Sequence, residues 1–242
     1  MRIIVGSDIA HCGERIGAFD NRMAYILGLQ RLGHKVYVFA DVNPNRCFDA
    51  NYHPLSFKEW EGRQQFEALA RSYGIWPHCC LIYKNGEATY GMSLTDAIKI
   101  AQSSDLLLNI SEKLKTPDIL EGVKYRVFID QAPAKTQVYH AGYGIDQGFD
   151  QHQHFFTVGL NIGTAACDIP TCGLTWHPIM HPVVLDLWSA WSSDQHQRFT
   201  TITNWAGKEP FNMQGRFSGE QSDNWLSFIE LPKRTRQELG SP

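Results

Sequence analysis

Two groups of residues in this chain have types and spacings that could do chemistry. One is the loop GSDIAHCGERIG (residues 6–17), with three glycines, Gly6, Gly13 and Gly17, and two proton-binding side chains, Asp8 and His11. The other is Cys167, Cys172, His177 and His181, four sulfur and imidazole groups within fifteen residues. Such a set could hold zinc tetrahedrally. Against this, only four residues separate the Cys pair from the His pair, which leaves little room for a supporting finger. Pro170, Pro178 and Pro182 also force extended backbone instead of the helix that usually aligns two histidines. No metal is therefore expected, and the thiols read as buried groups beside a proline-rich strand. The glycine loop raises a second possibility, because GxGxxG after a first strand, with an acid ending the second, marks a dinucleotide site. Asp41 stands in the right place, but Gly6, Gly13 and Gly17 leave the loop longer than the tight turn that seats a pyrophosphate.

Positioning such a loop requires a strand before it and a helix after it. Residues 2–5 form an apolar run with the character of a buried parallel strand. Residues 18–32 follow as a helix whose Phe19, Met23, Ile26, Leu27 and Leu32 form one apolar face. Gly33 fits a left-handed cap, and KVYVFA (residues 35–40) is the second strand. This is a βαβ unit. Further on, residues 56–73 read as a helix, and residues 81–90 as a hairpin around the type I′ turn signal Asn85-Gly86. Residues 93–101 read as another helix, with Ser93 or Thr95 near its start. Strands at 106–110, 125–130 and 155–160 are apolar runs ending in polar residues, as at the ligand edge of a doubly wound sheet. Residues 136–154, rich in Gly, Gln and His, read as a long surface loop. The expected fold is α/β, a Rossmann-like, mainly parallel sheet with helices on both faces.

Domain organisation follows from the polar stretch at 189–198, which reads as a linker. Residues 1–190 then form the Rossmann-like domain, and 198–242 open a second one with a strand at 199–203 and an apolar piece at 225–231. A domain that begins with one strand and then ends cannot build its own core, so the second is expected to be truncated. Hydrophobic residues make up 43% and charged residues 19%, ordinary for a globular chain and unlike a disordered one. The formal net charge of −3, without a long basic run, gives no electrostatic footprint for nucleic acid or an anionic membrane, and neither is expected as a partner. No apolar stretch approaches the length of a membrane span. The opening MRIIVGSD is too short and too soon charged for a signal peptide, so a cytoplasmic protein with its six cysteines reduced is expected.

Particular blocks carry a family resemblance. YILGLQRLGHKVYVFAD (residues 25–41) resembles the first helix and second strand of GT-B glycosyltransferases. FIDQAPAKTQVY (128–139), the block at 154–188 and FTTITNW (199–205) resemble a group of glycosyltransferase-like proteins. The resemblance implies transfer of a sugar from a nucleotide-sugar donor to an acceptor, without a bound cofactor. It implies an acid where Gln131 or Ala132 stands, a departure that puts any acid pair after Asp130 in doubt. The loop at 6–17 would border the cleft between lobes. There His11 and Asp8 serve as base or acceptor contact, or else are solvated loop residues. Asp130 would be the second catalytic candidate, with a turn carboxylate as its plainer role. Gly6, Ser7, Gly13, Asn109, Ser111 and Asn161 would line the acceptor side. Asn204 and Trp205 would open the donor-side loop, where most of the nucleotide is held, and the chain alone is expected to be inactive. The alternatives are a NAD(P)-dependent oxidoreductase and a non-catalytic nucleotide- or carbohydrate-binding domain.

Overall fold

The computed structural model describes residues 1–11, 16–188, 199–200, 205, 211–213, 216–218, 221–236 and 239–240. Its apolar runs assemble into an eight-stranded sheet. The strands are β1 (Arg2–Gly6), β2 (Lys35–Val42), β3 (Cys79–Tyr83), β4 (Ala88–Gly91), β5 (Leu106–Ile110), β6 (Tyr125–Asp130), β7 (His154–Thr157) and β8 (Trp176–Pro178). Their order is β4-β3-β2-β1-β5-β6-β7-β8. Every pairing is parallel except the β3–β4 hairpin at one edge.

Alternate side chains serve opposite faces, which is why the strands lack a polar side. Val5, Val36, Val38 and Leu81 pack with Met23 and Ile26 of α1 (Ile16–Arg31) and with Phe66 and Ala70 of α2 (Gly62–Ser72). Ile4, Tyr37, Phe39 and Leu107 pack with Ala97 and Ala101 of α3 (Leu94–Gln102) and with Ile119 and Leu120 of α4 (Pro117–Gly122). Helices thus cover both faces, and the fold is the Rossmann-like α/β sheet that the sequence implied. Farther along, Phe128, Phe149, Phe155 and Trp176 interlock edge to face in a third cluster.

Several local readings are corrected. Helix α1 stops at Arg31, and the chain turns through Gly33 at φ +83°, so Leu32 leaves the apolar face and is exposed. Helix α2 starts at Gly62 instead of residue 56, because residues 56–60 form a separate turn in which the Glu59 and Trp60 N–H groups both donate to the Ser56 carbonyl; the Trp60 ring then fills the space where a Cβ at 62 would stand. The hairpin has a four-residue connection, with Tyr83 opposite Ala88, instead of a two-residue type I′ turn. Lys84, Asn85 and Gly86 are all left-handed there, and Leu94 packs against Gly86 where a side chain would collide. Strand β7 ends at Thr157, soon followed by Gly159, whose missing side chain makes room for Ile162 and Pro133.

The largest correction concerns residues 136–154. They hold α5 (Lys135–Tyr143), closed by Gly144 in the left-handed conformation, a 3-10 turn at Phe149–Gln151, and the first residue of β7. The helix was hidden because its buried residues include Thr136 and Gln137, polar groups that an apolar periodicity does not count.

The chain divides into two compact units, Met1–Val184 and Leu185–Pro242. In the second, β9 (Phe199–Thr200) pairs in parallel with β12 (Leu239–Gly240), and β10 (Phe211–Met213) pairs antiparallel with β11 (Arg216–Ser218). The apolar piece at 225–231 falls on α6 (Gln221–Phe228) and the start of α7 (Leu231–Arg234). The expected linker at 189–198 lies outside the described residues. Among the described residues, no helix is long and apolar enough to cross a membrane, and Cys47, Cys79, Cys80, Cys167 and Cys172 form no disulfide.

Candidate functional site at the carboxyl edge of the sheet

The strand order reverses between β1 and β5, and at such a switch point a doubly wound sheet opens a crevice outside its carboxyl ends. The loop after β1 enters that crevice. Ser7 is fully buried and shapes the turn, its backbone N–H donating to the Phe39 carbonyl and its Oγ accepting from Ile9 N–H. Asp8 comes next. Arg22 of α1 donates to its Oδ1 from Nε and Nη2 at 3.4 and 3.2 Å, and Arg46, from the segment after β2, lies 3.7 Å from Oδ2. Burial pulls the Asp8 carboxyl upward, but Arg22, Lys113 and Arg46 outweigh it and hold it below the usual carboxylate range. Arg22 also donates to Gln131 and Asn21, and Gln131 donates to Asn21 Oδ1 at 2.7 Å. Asn21 in turn passes an N–H to His181 Nδ1 at 2.8 Å. Gln131, where the family resemblance implies an acid, is therefore a link between α1 and the end of β6.

His11 closes the 3-10 turn at Ile9–His11. Its Nε2 accepts the backbone N–H of Asn43 at 3.1 Å, so in the neutral ring the proton sits on Nδ1. Burial, then the Arg46 guanidinium, lowers its pKa to about 4 against the opposing pull of Asp8. The ring rests on Trp60, centroids 4.8 Å apart, and Arg46 Nη2 donates to the His11 carbonyl at 3.0 Å. A cavity of about 530 Å³ opens beside them, between this turn, the segment at 46–55 and the start of α2. Phe48, Leu55 and Trp60 give it apolar wall, while Asn51, Glu61 and Gln65 give it hydrogen-bonding groups. His11 and Arg46 belong both to this cavity and to the cluster around Asp8.

The other strand-end residues singled out from sequence lie on the opposite face of the sheet. Gly6 pairs with Asn109, and a Cβ at Gly6 would stand 2.8 Å from Leu114 Cβ. The Asn109 amide clamps Leu114 from both sides, donating to its carbonyl at 2.8 Å and accepting its N–H at 3.1 Å. It also donates to His152 Nε2 at 3.0 Å, and His152 Nδ1 is then the donor to the Gly148 carbonyl at 2.8 Å. Asp130 is completely buried and accepts four bonds, from Ala132 N–H, Thr136 Oγ1, Gln137 Nε2 and Thr157 Oγ1, all at 2.8–2.9 Å. These bonds fasten α5 to β6 and β7. Asp41, the acid a dinucleotide site needs, accepts from Lys115 N–H, Thr116 N–H and Thr116 Oγ1 instead. Burial raises its pKa despite those bonds.

Of the remaining sequence candidates, Ser111 follows β5 at φ +53°, its N–H donating to the Ile129 carbonyl. Asn161 is exposed three strands along from β1, its carbonyl holding the turn to Thr164. Trp205 is exposed in the second unit, whereas Gly13 and Asn204 lie outside the described residues. Cys172 donates to the Gln137 carbonyl, His177 packs on Phe156 and His181 meets Asn21. Among the described residues, no three His, Cys, Asp or Glu side chains converge as metal ligands would. Sequence reasoning missed Arg22, Arg46 and Trp60, and marked Gln131 only as a departure from the acid that the resemblance implies. The one available signal was Arg22, a charge set beside the buried Met23 in the helix that follows β1.

No protein-family model matches this chain, and no curated relative matches it. Among solved structures it is similar to an alpha-glucosyltransferase in complex with UDP and a 13-mer DNA containing a HMU base, at 11% identity and a TM-score of 0.42. That match covers 76% of this chain, which spans 43% of the other's length. The fold assignment rests on strand order and register.

Proposed function

We propose that this chain is a GT-B glycosyltransferase-like protein whose first unit receives the acceptor at the carboxyl edge of the sheet, beside a nucleotide-sugar donor. The observation that supports this best is the meeting, at His11 and Arg46, of a partly apolar cavity with a cation-rich polar cluster at the switch point. A sugar presents an apolar C–H face and a belt of hydroxyls. Trp60 and Phe48 suit the first, and Asn51, Gln65 and Glu61 suit the second.

Glycosyl transfer passes through an oxocarbenium-like state, needs a group to take the hydrogen bond of the attacking hydroxyl, and needs positive charge near the departing diphosphate. Asp8, kept ionised by its cations, is the carboxylate placed to orient that hydroxyl. His11, neutral with its proton on Nδ1, acts as a donor to a substrate oxygen, since its other nitrogen is engaged by Asn43. Asp130 acts at a distance, by holding β6, β7 and α5 in register. Trp205, with Asn204 beside it in sequence, stays the proposed donor-side contact.

Calorimetric titration of the chain with nucleotide sugars, oligosaccharides and NAD(P) tests this reading. Saturable binding of an oligosaccharide is expected, with a nucleotide sugar bound only weakly. Oligosaccharide binding should weaken about tenfold in Asp8→Asn, roughly the worth of one charge-assisted hydrogen bond. Binding of NAD(P) alone, indifferent to Asp8→Asn, would overturn the reading.

A further inference from the structure

The cavity beside His11 carries a charge opposite to that of the arginines around Asp8. Among the described residues, three carboxylates line it, those of Asp49, Glu59 and Glu61, against the one guanidinium of Arg46. That guanidinium is already engaged, 3.7 Å from Asp8 Oδ2 and donating to the His11 carbonyl at 3.0 Å. His11 adds no cation near neutral pH, because burial, then Arg46, lowers its pKa to about 4.

Two of the carboxylates are kept ionised by the chain itself. His53 N–H and Asn51 N–H donate to Asp49 Oδ1 at 2.9 and 2.8 Å, and Ser56 Oγ donates to Glu59 Oε2 at 2.6 Å. Those bonds hold both carboxyls below their usual range. Glu61 is different. It stands at the start of α2, exposed, and its side chain makes no hydrogen bond or ion pair among the described residues. The same cavity has an aromatic wall from Phe48 and Trp60. No three His, Cys, Asp or Glu side chains converge among the described residues, so these carboxylates are spread around the cavity instead of gathered on a metal ion.

We infer that this cavity takes a ligand bearing a protonated amine, with Glu61 as its ionic contact. An ammonium group is attracted both by carboxylates and by the π faces of aromatic rings, and an anionic group is disfavoured in the same place. The inference rests on the reading above for the role of the cavity, and on that reading the ligand is an acceptor sugar with a free amino group.

Calorimetric titration of the full chain with a glucosamine oligosaccharide and with its N-acetylated counterpart tests this, at about pH 6 where amines and carboxylates are both charged. The glucosamine oligomer is expected to bind about tenfold tighter at low salt. That ratio should fall about threefold or more in Glu61→Gln, which has no side-chain bond to lose, and should shrink as salt screens the exposed carboxylates. Glu87→Gln, which removes a carboxylate paired with Lys84 outside the cavity, should leave the ratio unchanged. Equal affinities for the two oligomers, or a ratio untouched by Glu61→Gln, overturn the inference and leave the glycosyltransferase-like reading standing. Spermidine bound with the same dependence on Glu61, while neither oligomer binds, would uphold the cation site and overturn that reading instead. Failure of the oligomers and spermidine alike overturns both.

Discussion

The two faces of the sheet treat their carboxyl ends in opposite ways. On the face covered by α3, α4 and α5, every polar strand-end group is used inside the fold. Gly6 gives way to Leu114, Asn109 clamps it, Asp41 caps the same segment at Thr116, and Asp130 takes four donors. On the face covered by α1 and α2, Asp8 pairs with Arg22 and Arg46, the His11 Nδ1–H makes no hydrogen bond among the described residues, and a cavity adjoins them. The first arrangement is complete without a ligand. The second holds charge and donors that a ligand can still use. Polar residues at the end of a buried strand are thus of two kinds, and the inventory of their partners separates them.

Substitutions can break this contrast, and the closed face should react most strongly. Asp130→Ala leaves the Ala132 N–H, Gln137 Nε2 and Thr157 Oγ1 donors without their acceptor and should cost about 3–5 kcal/mol in urea denaturation, with ligand affinity of the folded fraction unchanged. An unaltered midpoint would mean that Asp130 does not hold α5. Gly6→Ala forces a Cβ against Leu114 and should cost about 1–3 kcal/mol, read from the same transition. A smaller, pH-dependent effect belongs to the open face. His11 is lowered from 6.5 to about 4 in the fold, so the unfolded chain binds its proton first as the solution is acidified. Its stabilising contribution is full above pH 6.5 and is lost as pH falls toward 4. The fall in stability of wild type across that window should therefore be steeper than that of His11→Gln, and parallel curves would refute the buried neutral imidazole. The smallest effect is expected from chelation. Cys172, His177 and His181 have separate partners, so excess chelator should leave the melting temperature where it was.

How much of this was legible in the sequence depends on which partners a residue has. Strands β1, β2, β5 and β6 were readable because apolar runs buried on both faces need no alternation, and Gly33 announced the end of α1 by its freedom at positive φ. Helix α5 was not readable, because Thr136 and Gln137 are buried through bonds to Asp130 instead of through apolar contact. The start of α2 was misplaced because residues 56–60 close a turn of their own, with the Glu59 and Trp60 N–H groups both donating to the Ser56 carbonyl, and its apolar residues read as a continuation of the helix. Asp8 and His11 stood out as titratable groups in the loop after β1. Their partners Arg22, Arg46 and Trp60 come from three other segments, and only the fold brings them together. Asn109 and Asp130 looked like ligand contacts because strand-end position is visible in a sequence. The face they occupy depends on register, and whether that face is already roofed by a loop or a helix depends on the chain that follows.

Amide chemical-shift mapping on the isotopically labelled chain, titrated with an oligosaccharide, tests most directly which face is open. The moving resonances should centre on Asp8, His11, Asn43 and Arg46, while Asn109, Asp130, Thr136 and Gln137 stay fixed. Shifts centred on Gly6, Asp41, Lys115 and Thr116, with the Asp8 segment unmoved, would contradict it.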